Sequence, residues 1–336
     1  MGGLWTTKLQ LATEFSEIVG YKTGLALTRP ELRKHAKSDG PELFGGRDTP
    51  IRIRSEEVEG VFCRVLYEVG HISSPSPMPF HLVQFHKYKN GPQYDMFNAL
   101  SREFLTMLRA NLDAFPPRKS IDPTAFFQAA GNKYGVDGLV MAKEFIDGMV
   151  EDQEKSPWLK IRHMDWADTV QLRDLFESES LGAQYGEFFD QRFINYLAAN
   201  FDSISEINWR KFEGLAAEYF HREGFEVELG TGRNDNNIDV RLWPKDKRQV
   251  GLPPAILVQC KRQKEKVGKV VVKALYADII EEKAGAGMIV TSSSLAPGAA
   301  STCKARSYPI TEANRATLRK WVAAMRTPFT GVHMGH

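Results

Sequence analysis

Ala255-Ile-Leu-Val-Gln-Cys-Lys261 is the stretch on which the fold of this chain turns. It begins as an unbroken apolar run, the pattern of a strand covered on both faces, and ends in the polar pair Gln259 and Lys261. Strand side chains alternate, so Gln259 and Lys261 project to one side and Cys260 to the other. Two strands are predicted upstream, over 225–229 and 238–243, and the second carries Asp239 between Ile238 and Val240. Before them Asn208 is a predicted N-cap for a helix with Phe212, Leu215, Ala216, Tyr219 and Phe220 on one face, closed by Gly224. Downstream the pattern predicts a helix over 267–283, an apolar strand over 287–291, a strand over 308–310 and a helix over 312–325. Helix, three-strand meander, helix and strand make an α/β sandwich.

Neighbouring strands in this arrangement present Asp239, Gln259 and Lys261 at one notch. A carboxylate with an amide oxygen or backbone carbonyl is hard-oxygen ligation, suited to Mg²⁺ or Mn²⁺ that keeps several waters and takes a substrate phosphate as a further ligand. A lysine beside such a cation orients or helps deprotonate a water and stabilises charge building on the phosphate. These are parts for phosphodiester hydrolysis. The same residues also suit a structural role, with Asp239 and Lys261 as a strand-end ion pair and Gln259 capping a sheet edge.

Several ordered pieces decide between the two. Phe212-Glu213, Gly224-Phe-Glu-Val227, Asp235-Asn-Asn-Ile-Asp239, Gln259-Cys-Lys261, and Gly287-Met-Ile-Val-Thr291 with Ser292 and Ala299 resemble the Mrr-like restriction endonucleases, a branch of the PD-(D/E)XK nuclease superfamily, over about residues 207–325. The resemblance implies a PD-(D/E)XK-type α/β sandwich with a central mixed sheet, cleavage of DNA with Mg²⁺ (Mn²⁺ as substitute), and a place in restriction or anti-phage defence. By that resemblance Asp239 is the principal metal-binding carboxylate and Lys261 the catalytic lysine. Gln259 stands where most of the superfamily has an acid, its side-chain oxygen ligating metal or holding a water on it. Cys260 offers its backbone carbonyl as a ligand while its thiol packs into the core, and Glu213 reaches the site from the first helix as a secondary acid. Asn236-Asn237 replace the family's Gly-Gly, a turn that Asn tolerates better than other non-glycine residues, and Asp235 shapes that turn. Many enzymes of the superfamily act as dimers, so a homodimer or higher oligomer is expected.

The net charge of +2 hides a division, because residues 206–336 carry +7 and residues 1–205 carry −5. Much of the excess lies just past the polar strand end, in Lys261, Arg262, Lys264, Lys266, Lys269 and Lys273, with Glu265 the one acid among them. Such a run is expected to neutralise the phosphates flanking a cleavage site and to make binding salt-dependent. The turn at 245–248 is either a second backbone contact or a charged hairpin tip. Gly45-Gly46-Arg47-Asp48 reads as a turn, since no Gly-Lys-Ser/Thr and helix follow it.

Composition bounds the rest. A chain of 336 residues, 42% hydrophobic and 26% charged, suits two soluble globular domains. No apolar stretch approaches the roughly 18 uncharged residues of a membrane span. Residues 1–15 lack the apolar region of a secretory signal. Cys63, Cys260 and Cys303 are dispersed in no metal-ligand spacing, which points to a reducing cytoplasm. Residues 1–200 are expected to form a mixed α+β domain that becomes helical, serving recognition, regulation or assembly. About 1–92 reads as a small β-rich part with strands at 49–54, 61–69 and 81–88, and 93–200 as a helical part carrying stripes such as Phe97, Leu100, Phe104, Leu105 and Leu108. The nuclease occupies 201–326, and 327–336 form a loose tail. Two rivals stand beside the DNase reading, an RNA-cleaving nuclease of the same fold and a catalytically inactive nucleic-acid-binding or sensor module. The intact Asp239, Gln259 and Lys261 argue against the latter.

Overall fold

A computed structural model describes residues 3–112, 121–160, 162, 164–232, 238–248 and 251–326. Its first half runs β1 (Gly3–Thr7), α1 (Lys8–Thr23), β2 (Leu25–Ala26), α2 (Arg29–Ala36), β3 (Pro50–Arg54), α3 (Ser55–Glu68), α4 (Phe80–Tyr88), α5 (Tyr94–Leu112), α6 (Thr124–Lys155), β4 (Val170–Gln171), α7 (Asp174–Glu177) and α8 (Gln191–Ala199). β1 pairs with β3 antiparallel and β2 with β4 parallel. This half is mixed α+β, but residues 1–92 are not the small β-rich part expected: α1, α2, α3 and α4 fall there, and of the three expected strands the one at 49–54 is present, as β3.

The other two expected strands are helices. Residues 61–68 lie in α3 and 81–88 in α4. Val58, Val61, Phe62, Val65, Leu66 and Val69 recur every three or four residues and are all buried. Their branched side chains favour a strand, but their spacing makes one helical stripe, and burying the whole stripe at once outweighs the local preference. Glu57 reinforces the start of α3 by accepting the Arg54 N–H at 3.0 Å. In α4 the buried side chains, Gln84 and Tyr88, lie one turn apart, and Asp152 accepts the Phe80 N–H at 2.8 Å where the helix begins. α6 folds sharply at Gly135 (φ 62°, ψ −142°). A Cβ on Gly138 would meet the Ala130 carbonyl oxygen at 2.3 Å, so glycine lets the two helical pieces touch. α4, α5 and α6 enclose an aromatic core of their own, built on Tyr88, Phe97, Phe104, Phe126 and Phe145.

The second half runs α9 (Trp209–Arg222), β5 (Glu226–Leu229), β6 (Val240–Trp243), β7 (Ile256–Lys261), α10 (Lys269–Glu281), β8 (Ala286–Thr291), α11 (Pro297–Ala305), β9 (Ile310–Ala313) and α12 (Arg315–Met325). Asn208 caps α9 by accepting the Arg210 N–H at 2.8 Å, and Gly224, at φ 89°, turns the chain toward β5. The five strands lie in the order β5-β6-β7-β8-β9, antiparallel through β7 and parallel from β7 to β9. Val240, Leu242, Val258 and Val290 bury one face of this mixed sheet with apolar residues of α9 and α12. Leu257 and Ile289 bury the other against Val272, Leu275 and Ile279 of α10. The sandwich is the one the sequence predicts, with boundaries shifted: β6 begins at Val240, so Asp239 lies just before it, α10 is shorter at each end than expected, and β9 begins at Ile310. Residue 312, expected in the last helix, belongs to β9, where Glu312 accepts the Leu295 N–H at 2.6 Å; Asn314 caps α12 instead.

The apolar core does not stop at residue 200. One buried cluster holds Leu11, Phe62 and Phe193 together with Phe212, Val258 and Trp321. No described helix is long and apolar enough to cross a membrane. The expected tail, 327–336, lies outside the described residues.

Candidate active site

Cys260 of β7 packs with Val258 against the core beneath α9. Alternation then directs Gln259 and Lys261 to the α10 side, the side of Leu257. Asp239 sits one residue before β6, past the last register pair of these strands, Val240 with Val258. Its N–H donates to the Val258 carbonyl at 3.0 Å and its own carbonyl accepts the Gly230 N–H at 2.8 Å. Its Oδ2 accepts the Cys260 N–H at 2.6 Å. A backbone donor withdrawn from water must find an acceptor, and here a carboxylate supplies it, which fixes Asp239 in the notch where β6 and β7 part.

Glu213 reaches the same notch from α9. It is buried and hydrogen-bonds Asp239. Arg210, one turn earlier, donates to Glu213 Oε2 at 2.6 Å and to the Gly230 carbonyl at 2.5 Å, so it braces the acid against the end of β5. Burial, and after it the Asp239 carboxylate, push the Glu213 carboxyl up to about 8 against the pull of Arg210. Near neutral pH, Glu213 therefore retains its proton beside Asp239. Burial pushes the Cys260 thiol well up as well; Asp239 and Glu213 add to the rise and Lys261 opposes it. The thiol stays protonated and unreactive.

Gln259 is 3% exposed, and its Oε1 is buried without a hydrogen-bond partner among the described residues. An unmatched buried acceptor costs about 1–3 kcal/mol. A buried amide oxygen with no donor among the described residues and a hydrogen-bonded pair of carboxyls are hard-oxygen groups of the kind that suit a divalent cation, so these residue types fit Mg²⁺ or Mn²⁺. Among the described residues no three His, Cys, Asp or Glu side chains form a metal cluster; the set here is two carboxylates and an amide.

The cations expected to face nucleic acid divide into two kinds. Lys264, Lys266, Lys269 and Lys273 are exposed. Arg262 is half-buried and donates to the Ile207 carbonyl at 2.7 Å, tying the end of β7 to the segment that enters α9. Sequence reasoning missed this clamp, and it missed Arg210, for which the three-residue spacing to Glu213 within a helix was the available signal. It also missed the hydroxyl run after β8. Thr291 donates to the Lys261 carbonyl at 2.9 Å, Ser292 to that of Gln263 at 2.9 Å and Ser293 to that of Glu265 at 2.6 Å, so the lysine-bearing loop is pinned from behind. In the 245–248 turn the Arg248 N–H donates to Glu226 at 3.0 Å and its guanidinium pairs with Glu228. Asp235, Asn236 and Asn237 lie outside the described residues.

Residues 204–322 match the sequence model of the Mrr catalytic domain, described as a restriction endonuclease. No curated protein matches the chain. A solved structure, the MspJI restriction endonuclease in complex with a 27-mer oligonucleotide, aligns at 15% identity and a TM-score of 0.28, over 57% of this chain and 40% of its own. The aligned part is thus less than half of that enzyme's length. The matched stretch begins three residues before the one read from the motifs and holds Glu213, Asp239, Gln259 and Lys261 together. Residues 204–322, then, are similar to the catalytic domain of the Mrr restriction endonucleases.

Proposed function

We propose that the protein is a divalent-metal-dependent endonuclease that hydrolyses DNA phosphodiester bonds, in restriction or anti-phage defence, in the cytoplasm. The observation that supports this most is the notch, where Asp239 is tied to the Cys260 N–H and a proton-bearing Glu213 sits beside it; on β7 the buried Gln259 oxygen lacks a partner among the described residues. Asp239, Glu213 and Gln259 Oε1, with the Cys260 carbonyl, would hold Mg²⁺ or Mn²⁺. When bound, the cation supplies Lewis-acid polarisation of the scissile phosphate and acidifies an attacking water. Lys261 orients that water and compensates charge building on the phosphate. Arg210 keeps Glu213 turned toward Asp239, and the Cys260 N–H keeps Asp239 in place. Lys264, Lys266, Lys269 and Lys273, with Arg262 at the strand end, neutralise the flanking backbone.

In this proposal residues 201–326 cut, residues 1–200 recognise, restrain or assemble, and two copies act together to cleave both strands. Lys261→Ala should lower Mg²⁺-dependent nicking of supercoiled DNA by about 10²-fold or more while leaving DNA binding largely intact. Undiminished nicking by the pure variant would refute the assignment. Digesting RNA in parallel separates the two nucleic acids, and light scattering with and without DNA reads the assembly.

A further inference from the structure

Within the acidic first half one concavity is cationic. A cavity of about 600 Å³ opens between α2 and the turn at 41–46, walled by Arg29, Arg33 and Lys34 on one side and by Phe44, Gly45 and Gly46 on the other. No carboxylate contributes to the wall. The acids nearest in sequence have other partners, although Asp48 also lies within electrostatic reach of Arg29. Glu31 accepts the Thr28 N–H and hydroxyl at 2.7 Å each, Asp39 accepts from Arg64 at 2.6 Å, and Asp48 accepts the Leu9 N–H at 2.9 Å. Glu42 is exposed and outside the wall.

Arg29 and Arg33 lie one turn apart on α2, a spacing at which like charges cost about 0.2–0.5 kcal/mol. The adjacent Lys37 pairs with Glu68, but among the described residues Arg33 and Lys34 have no ion-pair partner to offset that cost. Arg29 is held rigid, its Nε donating to the Phe44 carbonyl at 2.9 Å and Nη2 to that of Gly46 at 3.1 Å. Arg33 lies against Gly45, where a Cβ would meet its Cζ at 3.3 Å. Gly46 turns the chain at φ 73°. Gly45, legible from sequence only as part of a turn, therefore leaves room for a guanidinium. A fixed guanidinium beside two unpaired cations, in a hollow free of acids, matches the charge and fork geometry of a phosphate group.

The surroundings favour a polymer over a small phosphate ester. The β1–β3 ribbon rises from the same turn, with Lys8 donating to the Gly45 carbonyl at 3.3 Å. It presents Trp5, 76% exposed, with Arg52 6.0 Å from its ring, and Arg54 is exposed beyond. Exposed aromatic surface next to cations is the equipment for stacking a base while its backbone is held. We propose that the pocket between α2 and the 41–46 turn is a phosphate site, separate from the cleavage notch, by which the N-terminal half grips the backbone of the nucleic acid. The choice of DNA rests on the nuclease reading; the phosphate chemistry does not.

The test uses the full chain carrying Lys261→Ala, so that DNA is bound and not consumed, and follows a labelled duplex by anisotropy over a salt series. Adding Arg33→Gln and Lys34→Gln, both at exposed positions, should leave the melting temperature unchanged. It should weaken binding and reduce the slope of log affinity against log salt by about 2, one for each cation lost. Lys133→Gln with Lys143→Gln, exposed positions on α6, removes the same charge and should leave the slope unaltered. An unchanged slope in the pocket variant, or an equal fall in the α6 variant, overturns the site. Calorimetry with AMP and with inorganic phosphate covers the other source. Binding that the pocket variant abolishes, without any change in its DNA slope, overturns the backbone assignment in favour of a free phosphate ester. Cleavage by the unmodified chain is scored separately, so that intact pocket-dependent binding without cleavage defeats the nuclease reading alone.

Discussion

Arg192 in α8 and Glu213 in α9 are both buried ionisable side chains beside the same continuous core, yet their surroundings differ. Arg192 donates to Asp190 at 2.7 and 2.8 Å and to Asp168 at 2.9 Å, so its charge is matched on every side. Lys22 and Glu154 are treated similarly, 3.9 Å apart, with Lys22 also donating to the Gln153 carbonyl at 3.0 Å and Glu154 bonded to His71 at 2.9 Å. At the notch Arg210 pairs with Glu213, which hydrogen-bonds Asp239 and keeps its carboxyl well above the ordinary range, and among the described residues Gln259 Oε1 has no donor. A cluster that only holds the fold matches its charges, whereas one that receives a cation keeps hard oxygens unmatched until the cation arrives.

Arg192→Met breaks the closed side of this contrast and should have the largest effect on stability. It leaves Asp190 buried without its partner, a loss of about 3–5 kcal/mol that a urea unfolding curve would register. A loss under about 1 kcal/mol would mean that the cluster is not the stabilising element described here.

Glu213→Gln probes the open side. The folded carboxyl, near 8, lies above its ordinary 4.5, so its contribution to stability is complete below about 4.5 and is lost as pH rises through about 8. The variant should therefore flatten the pH dependence of the metal-free protein between those values and melt a few degrees higher than the parent at pH 8. Adding Mg²⁺ should raise the melting temperature of the parent much more than that of the variant. Parallel pH profiles would show that Glu213 is not the strained acid of the site.

Gln259→Met sharpens the comparison with the smallest change. It removes the unmatched oxygen at similar volume, so stability should stay within about 1 kcal/mol of the parent or improve, while the Mg²⁺-induced thermal shift shrinks. A large destabilisation would indicate that the amide is paired in the fold.

The second half is legible almost residue by residue because its local signals agree. Asn208 caps, Gly224 turns, and the run from Ile256 to Val258 lies in a strand paired on both sides. α3 and α4 show where local preference misleads, since branched and aromatic side chains suit a strand until their three- and four-residue spacing finds a core to fill. At the site, alternation along β7 separates Gln259 and Lys261 from Cys260. The carboxylate capture of the Cys260 N–H, the Arg210 brace to Gly230 and the Arg262 clamp on Ile207 are invisible in the chain, because each joins segments about 20 to 55 residues apart.

The sequence by itself determined which chemical groups this protein owns and the periodicities that make its strands and helices, down to Asp239, Gln259 and Lys261 in order. Only the tertiary structure decided which of them lose water and which meet. Glu213 is held protonated by burial and by Asp239, Gln259 is left unmatched among the described residues, and Arg33 is set against Gly45 in an otherwise acidic half. Desolvation and pairing belong to neighbours brought from α9, β6 and β7, or from α2 and a distant turn, and no local stretch of chain carries that information.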